Sequence, residues 1–290
     1  METRMQVKIK AFFHDESNTI SYVVWDNQAK KCAVIDSVLD FDASSGRTST
    51  QSAQEIIEFI HKESLTCQWV LETHVHADHL SAAPFIKKSV GGKTAVGNHI
   101  PEIQKTFKTI YNAEPGFNTE GQQFDHLLED GEEFQIGNTT CKVIHTPGHT
   151  PACVTYLIDG NAFVGDTLFM PDFGTARTDF PGGDAGQLYD SIGKILALDE
   201  NTKLYTCHDY APNGRQIAWE STVQEQRDSN LHAHNGVTRD EFIKMRTERD
   251  KQLAMPALLI PSIQVNMRAG DLPPKEEDGD RYLKIPLNKL

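Results

Sequence analysis

Short runs of β-branched and aromatic residues recur along the chain, separated by polar or glycine-containing segments. In the first half they are VKIKAFF, TISYVVWD, KCAVIDSV and QWVLET. In the second half they are EFQIG, TCKVIHT, CVTYLID, NAFVGD and KLYTC. Runs of this length and composition, bounded by turn residues, predict β-strands with at least one buried face.

Apolar residues recur at helical spacing between these runs. The segment SAQEIIEFIHKE carries one apolar face, and Ser52 with Glu55 predicts a capping box at its start. Further helices are predicted from about His79 to Ser89, over AGQLYDSIGKILAL and over TRDEFIKMRTERDKQL. Strand clusters followed by a helix, a strand and a helix occur twice. This order predicts an α/β fold in which two sheets pack face to face with helices outside.

Composition and charge narrow the class of protein. The chain has 290 residues and a net charge of -13, which argues against binding to nucleic acid. No apolar run approaches the ~20 residues of a membrane span, and the start METRMQVKIKAFF lacks the apolar stretch of a signal peptide. We therefore expect a cytoplasmic protein with no membrane partner. The five scattered cysteines contain no CxxC motif, which argues against a disulfide framework or a cysteine-based zinc site.

The stretch THVHADH, residues 73–79, follows directly after a predicted strand. His74 and His76 are two residues apart and would share one face of an extended segment, with Asp78 and His79 immediately behind them. Four ligand-type side chains are costly to place so close together unless a cation neutralises and orients them. The stretch therefore predicts a metal site.

Three other predicted strands also end in polar residues. His149 follows a Pro-Gly turn in HTPGHTP, Asp166 ends the apolar run FVGD, and His208 lies in LYTCHDY with Asp209 and Tyr210 behind it. We expect these strand ends to converge on one active-site edge.

In order and spacing, this set resembles the metallo-β-lactamase superfamily, whose signature is HxHxDH followed by a His, an Asp and a last His. The resemblance covers about residues 6–215 and implies a four-layer αββα sandwich. The segments RTDF (177–180), HDY (208–210) and NMRAG (266–270) are further similar to the persulfide dioxygenases, also called sulfur dioxygenases. The segment between Asp166 and Arg177 is slightly longer than in the mitochondrial branch of that family and resembles a bacterial subgroup. We expect a single domain over residues 1–290, with a short C-terminal extension from about residue 237.

The family resemblance implies one Fe(II) per chain, held by His74, His149 and Asp166. Two histidines and one carboxylate form a facial triad that leaves coordination positions open for oxygen and substrate. The implied reaction is the oxidation of glutathione persulfide by O2 to sulfite and glutathione.

Other residues of the motif receive roles by the same resemblance. His79 and His208 either orient ligands and waters from outside the coordination sphere or hold a second metal ion. Tyr210 is a candidate donor to a bound oxygen species, or else packs at a strand end. The residues expected to take part in catalysis are Tyr210, His76 and Asp78.

Glutathione persulfide carries two carboxylates that need cations. Arg177 and Arg268 are the candidates, since arginine can bind a carboxylate through two hydrogen bonds. The alternative for Arg177 is an internal ion pair with Asp179. The basic residues of KMRTERDK (244–251) alternate with acids and predict a solvated helix face.

The ligand set is also compatible with a dinuclear zinc or mixed-metal thioesterase that resembles glyoxalase II, in which case Zn(II) replaces iron. A lactonase or β-lactamase is disfavoured by the sequence around Tyr210 and by the lack of a signal peptide. A homodimer is plausible for this family, but the chain alone does not determine it.

Overall fold

The computed structural model describes residues 7–289, which form strands and helices in the predicted alternation. The strands are β1 (Val7–His14), β2 (Thr19–Asp26), β3 (Lys31–Ile35), β4 (Val38–Asp42), β5 (Arg47–Ser49), β6 (Thr66–Leu71), β7 (Leu80–Ser81), β8 (Lys93–Gly97), β9 (His126–Leu128), β10 (Glu133–Ile136), β11 (Thr139–His145), β12 (Val154–Ile158), β13 (Asn161–Gly165), β14 (Lys203–Thr206) and β15 (Glu220–Thr222). The helices are α1 (Gln51–Lys62), α2 (Ala83–Val90), α3 (Ile100–Ile110), α4 (Ala185–Leu196), α5 (Val223–Ser229), α6 (Arg239–Asp250) and α7 (Leu259–Asn266).

Two six-stranded sheets form the centre of the molecule. Their strand orders are β1-β2-β3-β6-β8-β9 and β10-β11-β12-β13-β14-β15, and a small sheet, β5-β4-β7, lies beside them. Within the first sheet β3, β6, β8 and β9 run parallel, and in the second only β13 and β14 do. The parallel strands of both sheets end in loops that carry the site.

Apolar side chains from both sheets interdigitate in one core, to which Tyr22 and Tyr156 contribute. A second apolar cluster joins the first sheet to α1 and α2, and a third joins the second sheet to α4, α5 and α6. The layers are therefore helix, sheet, sheet and helix, as predicted. No helix in the described part of the chain has both the length and the apolarity needed to cross a bilayer.

Two details of the helices differ from the prediction. Helix α2 begins at Ala83 and not at His79, because Leu80 and Ser81 pair with β4 as strand β7. The predicted capping box of α1 is wrong: the helix begins at Gln51, and the Ser52 hydroxyl donates to Asp40 instead.

The C-terminal segment packs on the sandwich. Phe242 of α6 lies in the same apolar cluster as residues of α4, and Met267 lies in a cluster with residues of α3. The expected solvated face at residues 244–251 is wrong in part, because Arg246 is buried and forms an ion pair with Asp250, one turn away. Burial of a charge requires such a partner.

Candidate metal centre

The predicted site residues meet where the two sheets join. His74 follows β6, Asp166 follows β13 and His208 lies just beyond β14. Backbone hydrogen bonds connect the sheets at this edge, from Ile20 N to Cys207 O at 2.7 Å and from Val154 N to Thr73 O at 2.9 Å. The strand ends converge as expected, because both sheets present the same end to one edge.

Three donor atoms face a common point. The Nε2 atoms of His74 and His149 lie 3.8 Å and 3.6 Å from Asp166 Oδ2. Donors that each sit about 2.1 Å from one metal ion are separated by distances of this order. His74 Nε2 is buried and has no hydrogen-bond partner in the described structure. The three residues fit a mononuclear metal site.

The electrostatics of these donors also suit a cation. Burial, together with the neighbouring His76, holds the pKa of His74 well below its ordinary value, which keeps the imidazole neutral. Burial raises the pKa of Asp166, because this carboxylate lacks enough positive charge around it. A metal ion would supply that charge and would use the free lone pair of His74.

Hydrogen bonds fix the orientation of both histidines. The Thr73 hydroxyl donates to Asp36 Oδ2 at 2.8 Å, so it accepts from His74 Nδ1 at 3.0 Å and leaves Nε2 unprotonated. His149 Nδ1 donates to the Arg177 carbonyl at 2.8 Å, with the same result. Partners of this kind set the tautomer of a metal ligand.

Two glycines allow the close approach that the site requires. Gly165 precedes Asp166 with φ of +53°, and a Cβ there would lie 2.7 Å from the Thr73 hydroxyl. Gly148 precedes His149 with φ of +135°, and a Cβ there would lie 2.3 Å from the backbone of Leu188. Only glycine meets both demands.

A second group of donors lies beside the first and consists of His76, Asp78, His79 and His208. His208 Nε2 lies 2.9 Å from Asp78 Oδ2 and 3.5 Å from Asp166 Oδ1. Although burial opposes it, these carboxylates raise the pKa of His208 to about 9. Burial and the nearby His76 lower the pKa of His79 to about 4. This group can either bind a second ion or work as a hydrogen-bonded set around the first.

The His76 imidazole contacts two buried carboxylates. Its Nε2 lies 3.0 Å from Asp36 Oδ1 and 3.1 Å from Glu72 Oε2. Burial alone would lower the pKa of His76, but these carboxylates raise it well above its ordinary value. Its Nδ1 atom is buried and has no partner in the described structure. Asp36 therefore supports both His74, through Thr73, and His76 directly.

A cavity of about 440 Å³ opens onto the metal centre, and Asp78, His149 and Asp166 form part of its wall. Three phenylalanines, Phe169, Phe173 and Phe180, make much of the remaining wall apolar. Tyr210 also lines the cavity, with 41% of its surface exposed and its ring 4.6 Å from that of Phe173. The cavity has room for a small molecule and provides an apolar surface next to the metal.

The two predicted substrate-binding arginines lie in different places, and each is paired with a carboxylate. Arg177 lines the cavity, but its guanidinium binds Asp179 through two bonds of 2.6 Å and 2.7 Å, which is the alternative considered from the sequence. Arg268 is not brought to this cavity. It binds Glu114 through two bonds of 2.6 Å and 2.7 Å, and its guanidinium lies over the Phe117 ring.

Several residues of the site were not predicted from the sequence. Arg249 of α6 lines the cavity, is exposed and has no ion pair within residues 7–289, so it is available to an anionic ligand. No sequence signal distinguished it from its charged neighbours. The sequence did contain a signal for Asp36 and Glu72 as site residues, because each directly follows an apolar strand, as Asp166 does.

Comparison with known proteins supports the fold and a metal-binding class of protein. The model of the metallo-β-lactamase superfamily matches residues 15–208, more than half of the chain. The protein therefore belongs to the metallo-β-lactamase superfamily. The matched region contains the complete donor set, while Tyr210 and Arg249 lie beyond it.

Its relatives carry names from two classes of enzyme. Glyoxylase B2 of Dictyostelium discoideum is 55% identical over 287 residues, which cover 98% of each chain. A probable metallo-hydrolase of Burkholderia pseudomallei is 52% identical over 292 residues, covering 97% of this chain and 99% of the other. The mitochondrial persulfide dioxygenase ETHE1 of Bos taurus is 28% identical over 267 residues, covering 91% and 89%. The crystal structure of ETHE1 from Myxococcus xanthus superposes with a TM-score of 0.72 at 25% identity, covering 91% of this chain and 100% of the other.

Proposed function

We propose that the protein is a persulfide dioxygenase that uses one Fe(II) ion and oxidises glutathione persulfide with O2 to sulfite and glutathione. The observation that carries the proposal is the set of three donors, His74, His149 and Asp166, gathered around one point and bordered by the cavity. Two histidines and one carboxylate with an open side are the donor set of non-heme iron oxygenases. The persulfide dioxygenase relatives support the same assignment.

The net reaction balances as R–S–SH + O2 + H2O giving R–SH + H2SO3. The sulfane sulfur is oxidised, O2 is reduced, the S–S bond breaks and water supplies the third oxygen of sulfite. Bound Fe(II) would provide vacant coordination positions and would transfer electrons from the sulfane sulfur to O2 without being consumed.

The residues of the chain would hold and orient the substrate. Phe169, Phe173 and Phe180 would keep bulk water away from the sulfane sulfur. Arg249 at the cavity wall would bind a carboxylate of the thiol carrier, since its guanidinium has no ion pair in the described structure. Tyr210 would place its hydroxyl at the same cavity. Arg177 would contribute through its main-chain carbonyl, which positions His149.

A dinuclear thioesterase is the second candidate. Two observations favour it: the second donor group around His208 lies close enough for another ion, and one relative with 55% identity is named Glyoxylase B2. The Asp78–His208 contact of 2.9 Å is compatible with either candidate, as a hydrogen bond or as two ligands of one ion. The persulfide dioxygenase relatives support the assignment of one metal.

Metal analysis and an oxygen electrode test the two candidates together. We expect full-length protein from iron-replete cells to contain about one iron per chain. With glutathione persulfide it should consume O2 and form one sulfite for each O2, as the balanced reaction requires.

The same preparations should be assayed with a glutathione thioester. Two zinc ions per chain, thioester hydrolysis and no oxygen uptake by freshly reconstituted Fe(II) protein would reject the dioxygenase and establish the thioesterase. A His99→Gln variant provides the matched control, because His99 is a half-buried histidine outside both donor groups.

A further inference from the structure

One peptide group joins the metal centre to the C-terminal part of the chain. It lies between Arg177 and Thr178, in the RTDF segment, and both of its polar atoms form hydrogen bonds. Its carbonyl oxygen accepts from His149 Nδ1 at 2.8 Å. Its N–H donates to Oδ2 of Asp250, the last residue of α6, at 2.8 Å. The peptide therefore lies between a carboxylate and a histidine of the metal centre.

The geometry of the peptide couples these two hydrogen bonds. The Arg177–Thr178 peptide is trans, and a trans peptide is planar, with its N–H and C=O pointing in opposite directions. A carboxylate that fixes the direction of the N–H therefore also fixes the direction of the C=O. The negative charge of Asp250 polarises the peptide as well, because hydrogen bonds in series strengthen one another. The carbonyl oxygen becomes a stronger acceptor for His149 as a result.

The Asp250 carboxylate is itself held in place. It is 3% exposed, and its Oδ1 accepts from Arg246 Nε at 2.8 Å. Its Oδ2 also accepts from the Thr178 hydroxyl at 3.2 Å. Arg246 is buried too and donates from Nη1 to the Thr175 carbonyl at 3.1 Å. The ion pair of α6 therefore anchors residues 175–178 at both ends of that stretch.

The position of Asp250 is unfavourable for α6 taken alone. A negative charge at the C-terminal end of a helix is disfavoured by the helix dipole. Burial of a carboxylate adds the cost of removing it from water. The contacts that offset these costs are those with Arg246 and with the RTDF segment. The placement of this acid therefore indicates a role outside the helix.

We propose that Asp250 is a positioning residue of the metal centre, which acts on His149 through the Arg177–Thr178 peptide. A carboxylate often accepts directly from a metal-bound histidine, whereas here one peptide group stands between them. The series keeps the His149 proton on Nδ1 and directs Nε2, 3.6 Å from Asp166 Oδ2, toward the metal position. The inference rests on the proposed role of His149 as a ligand and holds for iron and zinc alike.

Replacement of Asp250 by asparagine tests this role with little change of shape. The new amide oxygen would face Arg246, because a buried guanidinium needs an acceptor. The amide NH2 group would then face the Thr178 N–H, and two donors repel each other. The peptide would rotate and its carbonyl would leave His149. We expect the affinities for Zn(II) and Fe(II), measured by chelator competition, to fall about tenfold, at the low end of the range for partners outside the coordination sphere.

Phe242→Leu is the matched control, because Phe242 is buried in the same helix and packs with residues of α4. We expect this variant to lose stability and to keep the wild-type metal affinity. A role of Asp250 limited to the packing of α6 predicts that the two variants behave alike. Equal losses of affinity in both, or an Asp250→Asn affinity within about twofold of the wild type, would overturn the proposal.

The wild-type protein provides a second test, which also applies if Asp250→Asn does not fold. By linkage, a peptide that strengthens metal binding tenfold must itself be stabilised tenfold when the metal binds. We therefore expect Zn(II), as a diamagnetic probe, to slow hydrogen exchange of the Thr178 amide about tenfold, as measured by NMR. The Thr175 amide is the internal reference, because it donates to His232 Nδ1 at 3.1 Å and not to Asp250.

Equal slowing at Thr178 and Thr175 would show only general stabilisation by the metal and would refute the link to Asp250. Nitrogen chemical shifts of the His149 ring in the Zn(II) protein should move in Asp250→Asn and stay in place in Phe242→Leu. None of these measurements involves turnover. Absence of oxygen uptake would refute the dioxygenase, whereas the affinity and exchange measurements would still decide the role of Asp250.

Discussion

Replacement of Asp36 by asparagine should weaken metal binding although Asp36 is not a metal ligand. Asp36 Oδ1 accepts from the Thr73 N–H at 2.7 Å and from His76 Nε2 at 3.0 Å. The amide oxygen of the introduced side chain would take that position, because two donors face it. The amide nitrogen would then face the Thr73 hydroxyl, which in the wild-type protein donates to Asp36 Oδ2.

The consequence is a change of tautomer at His74. The Thr73 hydroxyl would accept from the new amide and turn its hydrogen toward His74 Nδ1. The ring proton of His74 would move to Nε2, which is the atom that faces the metal position. Loss of such an orienting partner typically costs 10–100-fold in metal affinity, or about 1.4–2.7 kcal/mol.

Competition with a chromophoric chelator measures this affinity for Fe(II) under anaerobic conditions and for Zn(II). Nitrogen chemical shifts of His74 report the tautomer independently. Glu72→Gln is the matched control, because it removes the other carboxylate at His76 but does not touch Thr73. An Asp36→Asn affinity within a factor of about two of the wild type would refute the reasoning.

Three further predictions concern single residues. Asp166→Ala should remove the bound metal and leave the circular dichroism spectrum unchanged, because the loss is local; unchanged metal content would exclude Asp166 as a ligand. Arg249→Gln should raise KM for a carboxylated substrate about tenfold with kcat unchanged. Lys251 is exposed and does not line the cavity, so Lys251→Gln should leave both KM and kcat unchanged. Burial and nearby arginines lower the pKa of His232 to about 4, so the unfolded chain binds a proton that the folded protein excludes below about pH 6.5. The contribution of His232 to folding is present above that pH and lost as pH falls toward 4, by about 2 kcal/mol at pH 5, and denaturation of the His232→Gln variant should show a correspondingly smaller loss.

Most of the framework was predictable from short-range patterns. Apolar runs such as TISYVVWD and NAFVGD indicated buried strands, and the order of strands and helices indicated the layered sandwich. The convergence of His74, His149 and Asp166 followed from their positions at strand ends. Sequence similarity to a known superfamily made that inference specific.

Polar residues with long-range partners were the weaker part of the prediction. Ser52 has the spacing of a helix cap, but its hydroxyl donates a hydrogen bond to Asp40, which lies nearby only in the folded protein. Arg268 can bind a substrate carboxylate, but its guanidinium is already paired with the carboxylate of Glu114, more than a hundred residues away in the sequence. Arg246 and Arg249 lie on one helix. The packing of α6 buries Arg246 in an ion pair and places Arg249 at the cavity, without an ion pair among residues 7–289.

The chain itself determined the donor types, their order and the strands that carry them, because these depend on residues close together in sequence. Only the tertiary structure decided which donors face one point, which histidine tautomers they adopt and which charges stay free. Those properties depend on partners such as Asp36, Arg177 and Glu114, which folding brings near from other parts of the chain. A group that forms a hydrogen bond or ion pair with one partner is no longer available to another, and the spacing of residues in the sequence does not show which partner it takes.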